Sequence, residues 1–303
     1  MDRTALPRAL PARFPLCQPE FIRLAYGSHA PARRPGCRRI AAAGRSLEPG
    51  ATARTPLVSR RPILVSIPGL VAGAVSGGIT TRVGFPAAGP AGEEEAGKAA
   101  GRQLLARLLR RDPSRMAWLK QVHSDRVLRV EDPGLAGDAD AMVTREDDLA
   151  LLIAVADCGP VLLHDPQTGV IAAAHAGWRG TVSGVCERTV EAMIEAGADV
   201  ERIRAWIGPC IGPAQFEVGE EVAAQFDGAF VDRTQARPHV DLPAAIAARL
   251  LEAGLNKKKI RNAGQCTVEL EDRYWSYRRD GGICGRQFAW IVRSPAATTS
   301  SKS

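Results

Sequence analysis

A mixed α/β (α+β) domain, built as a layered α/β/α sandwich around a mixed sheet, is predicted for residues 62–293 by two features of the sequence. Short uncharged runs such as 149–156 and 170–174 read as buried strands, while stretches with apolar residues at three- and four-residue spacing, such as 93–111, read as helices. The two kinds of segment are intermixed with no linker between them, which argues for one domain rather than separate all-α and all-β units. No internal repeat is visible.

In order, 63–67 is a β-branched run and 73–82 is small and Gly-rich. Leu104, Leu105, Leu108 and Leu109 share one face of a helix over 93–111, with Pro113 beyond its end. Strands are expected at 116–122, 127–130 and 141–144, separated by the turn-rich DPGLAGDAD. The two apolar runs at 149–156 and 170–174 follow, with LLHDPQTGV between them read as a hairpin-like turn. A helix over 181–196 places Val182, Val185, Cys186, Thr189 and Met193 inward, with Gly197 after its end. A strand at 203–207, helices at 217–226 and 243–253, and strands at 260–262 and 288–292 complete the domain.

Residues 1–61 hold 12 of the 40 basic residues and 3 of the 33 acidic ones, so the remainder carries 28 basic against 30 acidic groups. The basic character belongs to this Arg/Pro-rich segment, which is expected to be a disordered tail. Its composition suits an over-long start in a GC-rich gene better than a targeting peptide, whose helix its prolines would break. Residues 294–303 are expected to form a second polar tail. The domain itself carries no charge-based claim on nucleic acid, and no apolar run reaches the roughly 18 residues of a membrane helix. Seven cysteines at 17, 37, 158, 186, 210, 266 and 284, without paired spacing, point to a reducing, cytoplasmic setting.

Counting narrows the chemistry. Of five histidines, His29 lies in the tail. His164 and His239 sit in turn-like surroundings and are expected at the surface. His123 in LKQVHSD and His175 in AAAHAGW each close a predicted strand, as does Cys158 in AVADC. Three N and S donors at strand ends form a set of the kind that holds catalytic zinc while leaving a fourth position open. A Cys158 nucleophile with His175 as base is the competing reading of the same residues.

The segments LKQVHSDRV, GDADAMVT, LLIAVADCGPVLL, AAAHAGWRGTVSG, IGPCIGPAQFEVG and YWSYRRDGGICGRQFAWI together resemble the YfiH/laccase-domain family over about residues 62–293. Members are variously labelled purine nucleoside phosphorylases, polyphenol oxidases and peptidoglycan editing factors. The resemblance implies metal ligation by His123, Cys158 and His175, with zinc as the metal and copper also compatible. It implies phosphorolysis of adenosine, inosine, guanosine and methylthioadenosine, with adenosine deamination besides, so that the partners are purine nucleosides and phosphate. Arg179, leading into the helix near Thr181, and Arg82 in TTR are the expected phosphate-binding residues. Asp157, beside Cys158, is expected to orient an imidazole, carry a proton or serve as a structural hydrogen-bonder, and Arg278 and Arg279 to be structural or to wall the pocket.

The alternatives are hydrolysis of a muramyl cell-wall precursor, a copper-dependent polyphenol oxidase, and a non-enzymatic interaction protein acting through the basic tail. Four histidines in the domain cannot supply a mononuclear plus a trinuclear copper cluster. The sequence departs from the family in the segment TTRVGFPAAGPAGEEE, where a GG-x-S element is usual, and at Cys284 near GRQ. It also has Gly159 after Cys158, which is expected to loosen that strand end.

Overall fold

The computed structural model describes residues 64–66, 74–86 and 94–295. The expected tail over 1–61, and 296–303 of the second, lie outside the described residues.

The first strands are β1 (Leu64–Ser66) and β2 (Val75–Thr80), followed by α1 (Glu94–Leu109). Glu94 and Glu95 in the first turn of α1 and Arg107 in its last complement the helix dipole. Then come β3 (Met116–Lys120), β4 (Val127–Arg129), β5 (Gly134–Asp138), β6 (Ala141–Thr144), β7 (Ala150–Val155), β8 (Gly159–His164) and β9 (Ile171–Ala176). The chain continues through α2 (Trp178–Ser183), α3 (Val185–Glu195), β10 (Arg204–Ile207), α4 (Glu220–Ala223), β11 (Val231–Asp232), β12 (His239–Val240), α5 (Leu242–Glu252), β13 (Ile260–Asn262) and β14 (Gln287–Arg293).

The mixed α/β sandwich is present, and its β layer is doubled. One sheet has the order β1-β2-β14-β7-β3-β5 and the other β13-β10-β8-β9-β6-β4, both with parallel and antiparallel neighbours. Ile79, Leu151, Ile153 and Ile291 from the first sheet meet Met142, Leu162, Ile171 and Trp206 from the second. Leu105 of α1 covers the outer face of the first sheet with Leu152, Phe288 and Trp290. Val190 and Met193 of α3 and Ile246 and Leu250 of α5 cover the second sheet over Val161, Leu163 and Ala174. Strands buried on both faces read as continuous apolar runs, which is why 149–156 and 170–174 are so free of charge. The chain passes from the first sheet to the second between β7 and β8, at Ala156-Asp157-Cys158.

Several local expectations change. The single helix over 181–196 is two helices, because Gly184 takes φ 97° between them, a left-handed value that suits glycine and ends α2 after six residues. The helix over 217–226 shrinks to the four residues of α4. Within DPGLAGDAD lies the edge strand β5, paired in parallel with β3. The hairpin turn after β8 is as expected, with the Asp165 N–H donating to the Val170 carbonyl. Its buried carboxylate is gripped by Arg202 through Nε at 3.2 Å and Nη2 at 3.0 Å. His164 and His239, however, are not surface groups. His239 is buried in β12, and His164 is fully buried at the end of β8, on the inter-sheet face that it shares with Leu162 by strand alternation. Neither ring nitrogen of His164 has a hydrogen-bond partner among the described residues. An unpartnered buried polar group costs roughly 1–3 kcal/mol, which the burial of Leu162 and Leu163, worth roughly 1.5–3 kcal/mol each, readily offsets.

Gly159 does not loosen its strand. It is buried in register opposite Ala176, and a Cβ there would lie 2.5 Å from Ile246 Cδ1 and 3.3 Å from the Ala176 carbonyl. The small residue lets α5 approach β8.

Candidate metal centre

Three separate segments bring the donors together. Gln121, in the loop after β3, clamps that loop to β7 by donating from Nε2 to the Ala154 carbonyl at 2.8 Å and accepting from the Ala154 N–H at 2.9 Å. Two residues on, His123 turns outward with φ 60°. Cys158 lies in the crossover from β7 to β8, and His175 lies within β9. The ligand atoms of His123, Cys158 and His175 are all within 4.8 Å of one another. The two imidazoles meet edge to face, with centroids 4.9 Å apart and planes at 76°. His123 is exposed, Cys158 half-buried and His175 buried, so the cluster opens to solvent on the His123 side.

Electrostatics favours the metal-binding form of the thiol. Burial by itself raises the Cys158 pKa, but the charge and hydrogen bonds of His175 and His123 outweigh it and bring the thiol down to about 6. A thiolate is therefore present at neutral pH, as a metal ligand must be. Burial disfavours the charged form of His175, yet Cys158 and Asp140 together push its pKa upward. Two imidazoles and a thiolate match the donor set expected for zinc.

Space for an ion is kept by Gly177, immediately after β9. A Cβ there would lie 2.9 Å from Cys158 Sγ and 3.3 Å from His123 Cδ2. Gly177→Ala is expected to lower metal affinity by about tenfold or more, an effect of displaced ligands, while the thermal midpoint moves little; zinc competition titration and calorimetry on the same sample check this.

Of the roles the sequence leaves open for Asp157, orienting an imidazole is not seen, and its hydrogen bonds are those of the structural one. Its carboxylate faces the 267–278 loop, accepting from Thr267 Oγ1 at 2.5 Å, Ser276 Oγ at 3.0 Å and the Arg278 N–H at 2.7 Å. These bonds hold Asp157 at φ 79°, a strained value outside glycine, and so fix the turn that carries Cys158. The residue that does contact an imidazole is Asp140, fully buried, with Oδ1 2.8 Å from His175 Nδ1. Nothing local marked it: Asp140 sits in GDAD, which reads as turn. Its one sequence signal is an acid directly before the wholly apolar start of β6.

The arginines differ in role. Arg279 pairs with Asp280 and donates to the Thr267, Val268 and Tyr274 carbonyls, so it braces the loop that grips Asp157. Arg278 is exposed over the Phe216 ring and donates to the Gln215 carbonyl. Arg82 stacks over Trp275 at 4.3 Å and donates to the Glu271 carbonyl at 2.8 Å. Arg179 is exposed and stacks over Trp178 at 4.3 Å. Among the described residues, neither Arg82 nor Arg179 forms an ion pair. No helix among the described residues is long and apolar enough to cross a membrane.

Comparison with known proteins agrees with this architecture. The chain is similar to a protein named purine nucleoside phosphorylase from Deinococcus radiodurans, 43% identical over 230 residues that make up 72% of this chain and 89% of that one. It is also similar to a purine nucleoside phosphorylase of Streptomyces coelicolor, 40% identical over 67% of this chain and 86% of the relative. Among solved structures it resembles YlmD from Geobacillus stearothermophilus, with a TM-score of 0.70, 27% identity, and coverage of 76% of this chain and 94% of that one. The hypothetical protein YfiH of Bacillus licheniformis matches with a TM-score of 0.68 and 26% identity, over 73% and 93% of the two chains. The family described as "Multi-copper polyphenol oxidoreductase laccase" matches residues 80–294, and with that span and these relatives the chain belongs to this YfiH-like, laccase-domain family.

Proposed function

We propose that this chain is a zinc-dependent purine nucleoside phosphorylase acting on adenosine, inosine, guanosine and methylthioadenosine, with adenosine deaminase activity at the same site. The observation that carries the reading is the convergence of His123, Cys158 and His175 in a chain whose relatives at 36–43% identity are named purine nucleoside phosphorylases. Residues 62–293 are the proposed catalytic domain, flanked by tails over 1–61 and 294–303.

The three residues would hold the metal, which supplies Lewis acidity and an activated water when bound. Phosphorolysis needs an anion held beside the ribose C1′ while the C1′–N9 bond breaks and the purine takes up a proton. Arg179 and Arg82 are the proposed anion-binding groups; their stacking on Trp178 and Trp275 limits the freedom of each guanidinium, and Arg82, which donates from Nη1 to the Glu271 carbonyl, keeps its other N–H groups for phosphate. Because α2 has only six residues, Arg179 itself, rather than a long helix dipole, supplies the charge there. Asp157 is assigned to holding the Cys158 turn.

Copper oxidation is the weaker reading, since five histidines in the whole sequence cannot supply several copper centres. A Cys158/His175 hydrolase of a muramyl precursor is favoured by the lowered thiol pKa, and full activity after metal removal would select it. The deciding assay incubates the purified chain, intact and truncated to 62–303, with adenosine and phosphate. Equal release of adenine and ribose 1-phosphate from both, with inosine as the deamination product, is expected; no purine product from any nucleoside would overturn the proposal. Activity lost only on truncation would point to a role in the N-terminal segment.

A further inference from the structure

We infer that Asp140, which is not one of the three donors, is the positioning residue that sets how His123 and His175 face a bound metal: its one carboxylate selects the ring nitrogen His175 offers and holds the left-handed turn that presents His123. The inference rests on the metal reading above.

Five donors converge on this buried group. Oδ1 lies 2.8 Å from His175 Nδ1 and accepts from the His123 N–H at 3.0 Å. Oδ2 accepts from the Val122 N–H at 3.2 Å, the Ser124 N–H at 2.6 Å and Ser124 Oγ at 2.8 Å. Backbone amides can only donate, and an ionised carboxylate can only accept, through about four lone-pair sites. The ring nitrogen facing Oδ1 therefore carries a proton, and the tautomer is fixed: His175 keeps Nδ1–H toward Asp140 and presents the Nε2 lone pair toward Cys158 and His123. A carboxylate behind a metal-binding imidazole sets ring orientation and ligand basicity in this way.

The same carboxylate acts on His123 through the backbone. A non-glycine residue at φ 60° is strained by about 1 kcal/mol or more. Three consecutive amides, 122 to 124, wrapped around one anion form a concave arrangement of N–H groups that offsets the strain. Asp140 directly precedes β6, whose neighbour in register is the strand bearing His175, and the His175 N–H donates to the Asp140 carbonyl at 2.7 Å. Main chain and side chain of one residue thus tie an exposed loop ligand to a buried strand ligand.

Asparagine, the closest isostere, does not fit. It swaps one acceptor oxygen for an NH₂ donor, and in either amide orientation that donor meets at least two others: His123 N–H with His175 Nδ1–H, or the three on the Oδ2 side. The chemistry thus demands Asp, where a shape requirement alone would tolerate Asn.

The test titrates wild type, Asp140→Asn and Ser124→Ala with Zn²⁺ against a chromophoric chelator, and records the histidine ring ¹⁵N–¹H correlations of the zinc-loaded protein. Wild type is expected to show the His175 proton on Nδ1. Asp140→Asn is expected to bind zinc about 10–100-fold more weakly with a mixed His175 tautomer, and Ser124→Ala to stay within roughly fivefold of wild type, the worth of one hydrogen bond. A proton on Nε2 in the zinc-loaded wild type would overturn the inference whether or not Asp140→Asn folds. So would an Asp140→Asn protein with unchanged affinity and tautomer. Failure of the wild type to take up zinc would overturn the metal reading itself and this inference with it.

Discussion

Alanine at His175 is expected to lower nucleoside phosphorolysis by about 10³-fold or more and to abolish stable zinc binding. His175 is the buried member of the donor set, on the central strand β9, so no neighbouring side chain can swing in to replace it. A loss of about 4 kcal/mol of transition-state stabilisation, the scale of a Lewis acid's contribution, corresponds to that factor. The fold should survive. His123, Ser124 and Val122 still donate to Asp140, and the rest of β9 keeps its pairing with β6 and β8. Adenine release and zinc stoichiometry are read on the same preparation, with far-UV circular dichroism as the control; turnover within tenfold of wild type would remove His175 from the site.

The second large effect lies away from the site. His164 is fully buried, and its position opposite Arg204 in the β8–β10 register adds a like charge nearby. Burial first, and the Arg204 charge second, push its pKa down to about 4 from an ordinary 6.5. Above pH 6.5 the imidazole is neutral in both folded and unfolded chains and contributes no pH dependence. As pH falls from 6.5 toward 4, the unfolded chain binds a proton that the folded one refuses, so stability drops, by about 3 kcal/mol in full. His164→Leu is expected to remove this loss and to be neutral or slightly stabilising at pH 7.5, since it replaces two unpartnered polar atoms with an apolar group. Urea midpoints of both proteins at pH 7.5 and 4.5 measure the difference, in which carboxylates remote from residue 164 cancel, while Asp165, whose charge acts on His164, does not. An identical acid loss in the two would show that water or a charged partner reaches the ring.

These two histidines also mark what sequence reading captured. His175 was legible because it ends an apolar run, where an imidazole stands out from AAA on one side and AGW on the other. Cys158 was legible as the thiol just past the uncharged run 149–156, and His123 as the imidazole after the expected strand 116–122, although that strand ends earlier, at Lys120. The burial of His164 was hidden because the HDPQTG segment is polar in sequence, and it is the stacking of a second sheet, a long-range event, that covers the last residue of β8. Asp140 was hidden because its role depends on β6 lying beside β9 and on the loop after β3 folding back over both. The strand β5 escaped notice since three of its five residues are Gly or Asp, which disfavour strands locally, and only its pairing with β3 makes it one. The break at Gly184 could have been read from the glycine itself, but the apolar spacing on either side runs through it.

The passage of the chain from one sheet to the other at Asp157-Cys158 has a thermodynamic consequence. His123 follows a strand of the first sheet, His175 lies in the second, and Cys158 stands at the crossing between them. An ion shared by the three would add a cross-link between two layers that already meet through apolar contact and chain crossings, and it would close chain loops that the unfolded state leaves open. Any ligand held by the native state alone adds RT ln(1 + [L]/Kd) to its stability, about 4 kcal/mol at a thousandfold excess over Kd. Metal loading at the proposed site would thereby be part of the folding equilibrium of this protein as well as of its proposed chemistry.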